Sequence, residues 1–179
     1  MAIPLARSVP EADDALAALH RAHYRSLVRL GALLLGDTET SEEVVQDAFI
    51  KLQLRWGGLR DIDKAPAYLR SAVLNGARSQ LRRRGVRRRH AERRTPNLDA
   101  GSAESGAMAI EDHRRVVAAM RALPERQREA LALKFYLDLS EADIAAAMGV
   151  SVGSVKTHVH RGLAALEARL GDRPEEEAR

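Results

Sequence analysis

At 179 residues, 45% hydrophobic but only 3% aromatic, the chain can fill one ordinary core or two small ones, chiefly with aliphatic side chains. It holds no cysteine, which excludes a disulfide frame, a thiolate metal site and a cysteine nucleophile. The net charge is only +4, yet between Asn75 and Arg94 nine arginines stand with one glutamate, a block that reads either as a phosphate-binding surface or as a solvated run.

The first half reads as helices. Leu16, Leu19, Leu27, Leu30 and Leu34 recur at helical spacings and form one apolar stripe, which Gly36-Asp37 stops. Thr38 to Ser41 supply N-cap candidates for the next helix, with Glu42 and Glu43 in its first turn. Its stripe is Val45, Ala48, Phe49 and Leu52, and it ends near Trp56-Gly57-Gly58. A polar loop follows from Arg60. Pro66 suits the first turn of a third helix, whose Leu69, Val73, Ala77 and Leu81 share a face.

From Gly85 to about Glu111 the sequence is Arg-rich, then rich in Gly, Ser and Ala without periodicity, and predicts a flexible linker. Helical pattern resumes near Ile110, breaks at Pro124, covers Arg126 to Tyr136, and continues as a compact pair from Ser140. The fold expectation is all-α: two small helical domains, 12–84 and 112–170, joined by a linker over 85–111. The opening Met1 to Arg7 lacks the apolar core of a secretory signal, and the longest apolar run, around Leu30 to Leu35, is far too short to span a bilayer. The chain is expected in the cytoplasm, with no membrane partner.

The sharpest local signal lies between Leu139 and Leu170. Ser140 caps a helix with Asp143 as its reciprocal partner, and Ile144, Ala145 and Met148 face inward. Gly149 ends that helix and permits a tight turn with positive φ. Ser151 caps a second helix, whose buried stripe is Val155, Val159, Leu163, Leu166 and Leu170. This is the pattern of a helix-turn-helix, the second domain's signature. The opposite face carries Gly153, Ser154, Lys156, Thr157, His160 and Arg161, donors and small residues near a helix N-terminus that suit a major groove. The alternative is an ordinary solvated helix face. His158 and His160 stand two apart and do not make an i, i+4 metal pair.

The third helix carries a second polar row, Ser71, Asn75, Arg78 and Arg82, spaced four, three and four. Such a face can lie along DNA. Before it, Asp61, Asp63 and Lys64 sit in a loop flanked by Trp56 and Tyr68, groups that can hold an unstacked base; for Trp56 alone, core packing is the better reading. There is no phosphate loop, no G-x-S-x-G and no H-E-x-x-H, so no enzyme, cofactor or metal site is expected.

The two halves together resemble an extracytoplasmic-function (group 4) sigma factor of RNA polymerase. Leu33-Leu34-Leu35-Gly36-Asp37 through Glu42-Glu43-Val44-Val45-Gln46-Asp47-Ala48-Phe49 to Leu52 is similar to sigma region 2. Ala67-Tyr68-Leu69-Arg70 through Asn75 to Leu81-Arg82-Arg83 is similar to the family's promoter helix. Leu123-Pro124-Glu125-Arg126-Gln127-Arg128-Glu129 and Ser154-Val155-Lys156-Thr157-His158 are similar to region 4. The resemblance implies that Glu43, Gln46, Asp47 and Ile50 dock on the polymerase β′ clamp helices. It implies that the loop at Asp61 to Lys64 and the helix face at Asn75, Arg78, Arg82 and Arg83 open and hold the single-stranded −10 element. Leu131, Leu133 and Phe135 would meet the β-flap tip, and the helix-turn-helix would read the double-stranded −35 element. Such factors commonly pair with an anti-sigma factor. Ser154 and His158 depart from the Thr and Arg of many relatives, so the −35 sequence does not carry over. A dimeric helix-turn-helix regulator and an RNA-binding protein are the rival readings.

Overall fold

The computed structural model describes residues 9–56, 61–91 and 107–171, and every regular element among them is helical. Helix α1 spans Val9–Leu35, α2 Thr38–Arg55 and α3 Ala65–Ala91; a single 3-10 turn, Ile62–Lys64, leads into α3. The second half holds α4 (Ala107–Arg121), α5 (Glu125–Leu131), a π turn over Ala132–Tyr136, α6 (Glu141–Met148) and α7 (Val152–Gly171).

Helices α1, α2 and α3 pack mutually as a bundle. The predicted stripes meet in its centre: Leu27, Leu30 and Leu34 from α1, Val45, Ala48, Phe49 and Leu52 from α2, and Leu69, Val73 and Ala77 from α3 are all buried. The α1–α2 corner turns on Gly36, whose φ of +77° is the left-handed backbone that favours glycine. The cap of α2 is Asp37, one residue before the expected Thr38–Ser41 candidates. Its carboxylate accepts the Glu39 and Thr40 amides and the Thr40 hydroxyl. Asp37 wins because it also takes the Arg84 guanidinium at 3.0 Å, which ties the far part of α3 to this corner. Those bonds, that of Thr40 foremost, hold its carboxyl below the usual carboxylate range.

Two boundaries differ from the sequence expectation. Helix α3 continues through Gly85 to Ala91, and α4 already begins at Ala107, so both ends of the expected 85–111 linker are helical. Arginine is a good helix former, and one glycine costs only about 1 kcal/mol, which the flanking turns carry. Residues 92–106, the rest of that linker, lie outside the described residues.

In the second half α7 runs across α4, α5 and α6. Its buried line differs from the predicted one. Val155 is buried and Val159, Leu166 and Leu170 are half-buried, but Leu163 is exposed and Gly162 takes the central place. A Cβ at Gly162 would lie 2.9 Å from Leu131 Cδ1, so only glycine lets α7 approach α5 this closely. At 100° per residue, position 162 lies nearer the Val155–Leu166 line than 163 does.

The π turn follows α5 without a break. Leu137 N–H donates to the Ala132 carbonyl, an i to i+5 bond, at 3.3 Å. The wider turn rotates Phe135 to 63% exposure while Leu131 and Leu133 remain in the core.

Candidate nucleic-acid interface

The helix-turn-helix is built as its punctuation predicts. Ser140 Oγ accepts the Asp143 amide at 3.1 Å and donates to the Asp143 carboxylate at 2.6 Å. Ile144, Ala145 and Met148 are buried. Gly149 adopts φ +68° and ψ 41°, reversing the chain, and Val150 N–H closes the turn on the Ala145 carbonyl. Ser151 Oγ then accepts the Ser154 amide at 3.1 Å and starts α7. The first two turns of α7 bury Val155 and turn their opposite side away from the bundle. Gly153, Lys156, Thr157, His160 and Arg161 are exposed and Ser154 is half-buried. Lys156 leans on Glu141 at 3.6 Å, and Thr157 Oγ1 bonds back to the Gly153 carbonyl at 3.0 Å. Both contacts are exposed and exchangeable for phosphate or base edges.

A second polar region lies on α3. Between α2 and α3 runs an open groove of about 410 Å³, walled by Asp47, Lys51, Arg55, Tyr68, Ser71, Asn75 and Arg83. The structure thus brings Tyr68, Ser71, Asn75 and Arg83 together on one depression. Tyr68 is covered by the Arg55 guanidinium, 5.7 Å from the ring centroid, so its ring already accepts a planar cation. Trp56 is half-buried and packs on the core. Asp61 caps the 3-10 turn through the Asp63 amide and pairs with Lys64 at 3.4 Å, while Asp63 and Lys64 are exposed beside it.

Arg78 departs from the exposed row in which the sequence placed it. Its side chain is only 11% exposed and forms a two-pronged ion pair with Glu129 of the second half, Nε to Oε1 at 2.6 Å and Nη2 to Oε2 at 2.7 Å. Glu129 holds the Arg78 guanidinium in its charged form against the cost of burial. The cause is tertiary: α6 packs on α3 and on α5, and the carboxylate that reaches Arg78 comes from α5, which an intrahelical pattern cannot report. Arg82 and Arg83 remain exposed, Arg82 donating to Ser79 at 2.9 Å.

A third surface mixes polar and apolar residues. Glu43, Gln46, Asp47 and Ile50 share the exposed side of α2, extended by Leu54 at 81% exposure, a residue the sequence reading did not single out. Its signal was the unpaired leucine two residues past the buried Leu52. Of the three apolar positions expected on the second half, only Phe135 is a surface residue. Leu131 and Leu133 are buried and cannot meet a partner: Leu131 packs under Gly162, and Leu133, within the π turn, has no exposed surface. Among the described residues no three of His, Cys, Asp or Glu are grouped to hold a metal, and no helix is long and apolar enough to cross a membrane.

Comparison with known proteins covers both halves. Residues 19–87 match the family model for sigma-70 region 2, and residues 113–166 match that for sigma-70 region 4. The chain is 30% identical over 153 residues to an RNA polymerase sigma-E factor of Streptomyces antibioticus, covering 86% of this chain and 83% of that one. It is also 30% identical over 162 residues to the ECF RNA polymerase sigma factor EcfG of Rhodopseudomonas palustris, covering 88% and 83%. The solved structure of the sigma factor RpoE in complex with the anti-sigma factor NepR, from Bartonella quintana, is similar with a TM-score of 0.66 at 25% identity, over 92% of this chain and 97% of that one.

Proposed function

Since the chain belongs to the sigma-70 family of RNA polymerase sigma factors, in its extracytoplasmic-function group, we propose that its two halves divide promoter recognition between them. The protein directs RNA polymerase to promoters; the division of labour is our reading of its surfaces. Residues 112–170 anchor the −35 element through the exposed start of α7, with Gly153, Ser154, Lys156, Thr157, His160 and Arg161 on the major groove. Residues 12–84 open the −10 element. Asp61, Asp63, Lys64 and Tyr68 receive an unstacked base, and Ser71, Asn75, Arg78, Arg82 and Arg83 follow the strand. The exposed side of α2 from Glu43 to Leu54 docks on the β′ clamp helices, and Phe135 on the β-flap tip. Residues 85–111 connect the two contacts. The capped turn with its exposed donor row supports this reading most directly.

The energetics explain why one chain holds both contacts. Extruding a base costs a few kcal/mol. A −35 anchor raises the effective concentration of the α3 groove at the −10 element, so two modest contacts act together. Polymerase supplies the chemistry of transcription. The free protein is expected to bind promoter DNA weakly and the holoenzyme tightly. An anti-sigma factor is a further partner of the class that occupies RpoE, and the exposed Ile50, Leu54 and Phe135 are apolar positions it could cover. Run-off transcription with core polymerase tests the whole reading. Initiation should depend on this chain. Its absence on every promoter tried, or a stable homodimer on a palindromic site, would overturn it.

A further inference from the structure

The exposed start of α7 is not uniformly polar. Its first residue is Val152, which is 41% exposed. The fold does not need an apolar side chain there. Val150 and Val155, before and after it, pack on the core, and Val152 stands outside that core. Nor does the fold need the glycine that follows. A Cβ at Gly153 would meet nothing nearer than Ser151 Oγ at 3.9 Å, and the backbone there is not left-handed. Glycine weakens a helix relative to alanine, so the space left open at Gly153 is space for a partner.

The hydroxyl groups nearby are engaged. Ser151 Oγ accepts the Ser154 amide at 3.1 Å and lies 2.9 Å from Ser154 Oγ, so these two serve the cap and each other. Thr157 gives its hydroxyl hydrogen to the Gly153 carbonyl at 3.0 Å. While that bond stands, Thr157 offers an oxygen and a methyl group but no donor. At about 100° per residue, Val152, Gly153, Lys156, Thr157 and His160 fall within an arc of about 140°, and the buried Val155 lies outside it. Val152 therefore shares the side of α7 that the −35 reading turns to the DNA.

A single exposed valine is ordinary on a protein surface. This one stands at the end of the helix that the −35 reading places in the major groove, where an apolar group has one counterpart. Among the four bases only thymine presents a methyl group there, at C5. Guanine, adenine and cytosine are selected by hydrogen bonds, which a valine side chain cannot make.

We propose that Val152 reads a thymine methyl group in the −35 duplex, and that the bare backbone of Gly153 lets the base edge come close enough for the contact. The inference rests on the assignment of α7 to the −35 element and adds the chemistry of one position to it.

Holoenzyme made from core polymerase and the full-length chain should be used to select from promoter duplexes randomised over the −35 element. The selected sequence should contain thymine. Replacing its thymines one at a time by deoxyuridine removes only the methyl group. At one position this should weaken holoenzyme binding about fourfold, the equivalent of about 0.8 kcal/mol for one buried carbon group. With Val152→Ser the same position should bind thymine and uracil equally. Val116→Ser, which removes a valine of similar exposure from α4, should keep the fourfold difference. Gly153→Ala should melt no lower than the parent yet bind the selected duplex more weakly. A selected sequence without thymine, deoxyuridine that is neutral at every position, full methyl sensitivity in Val152→Ser, or parental binding by Gly153→Ala overturns the proposal. Should Val152→Ser fail to fold, Val152→Ala takes its place with the same expectation. A parent holoenzyme that selects no −35 sequence at all defeats the assignment of α7, whereas selection without methyl sensitivity defeats the methyl contact alone.

Discussion

Leu133 and Phe135 stand two residues apart, and the structure gives them opposite duties, so truncating each to alanine separates folding from docking. Leu133 has no exposed surface. Leu133→Ala removes three carbon groups from the core, roughly 2.4 kcal/mol at about 0.8 kcal/mol each. The unfilled space adds to that, which puts the loss in the range of about 2–5 kcal/mol. For a chain of this size each kcal/mol moves the melting temperature by roughly 2–4 °C, so a fall on the order of 5–15 °C is expected. Phe135, at 63% exposure, should cost no more than about 0.5 kcal/mol. Thermal unfolding followed by circular dichroism measures both, and binding to core polymerase measures the other side. Phe135→Ala should weaken the complex while its melting curve stays in place. If Leu133→Ala melts with the parent, or Phe135→Ala is the less stable of the two, the placement of the π turn is wrong and the docking argument goes with it.

Gly76→Ala should destabilise by roughly 1–2 kcal/mol in denaturant titration: overpacking costs about 1–3 kcal/mol and a helical alanine returns up to about 1, because the new Cβ would lie 2.6 Å from the buried Val44 Cγ1. His23, which lines a cavity with Arg70 and Leu137, has its pKa lowered first by burial and then by Arg70. A folded pKa below the unfolded value of about 6.5 means its stabilising contribution is whole above that pH and is lost as pH falls through the folded value. Stability measured between pH 7 and pH 5 should therefore decline, and His23→Gln should flatten the decline. Lys156→Ala should weaken duplex −35 binding by holoenzyme across sequences and reduce the salt slope by about 1, as for the loss of one phosphate contact; an unchanged slope would remove Lys156 from the interface.

What could be read without coordinates was whatever is local. The three apolar stripes of the first bundle, the Ser140 and Ser151 caps and the left-handed Gly149 follow from spacing and side-chain chemistry, and each is present. The exposed start of α7 follows from them in turn. Non-local choices were not legible. Asp37 outcompeted Thr38 as a cap because Arg84, forty-seven residues on, joins it. Gly162 displaced Leu163 from the buried line because Leu131 needs the room. Arg78 left the solvent face because a carboxylate from the other half reached it. In each case a partner distant in sequence overrode a correct local preference.

The π turn over Ala132–Tyr136 has a consequence for what this helix can tolerate. Phe135 follows Leu131 by four residues, and in a straight α-helix the two would share one face. The wider turn is equivalent to one inserted residue. Removing a single residue between Leu131 and Phe135 would restore the regular ladder and leave the phenyl ring three residues after Leu131 instead of four, pointing in a different direction about the helix axis. A frame-preserving one-codon deletion would then silence a contact surface while leaving every exposed side chain of α6 and α7 unaltered in identity. The presentation of Phe135 thus depends on a count of residues as much as on their kinds.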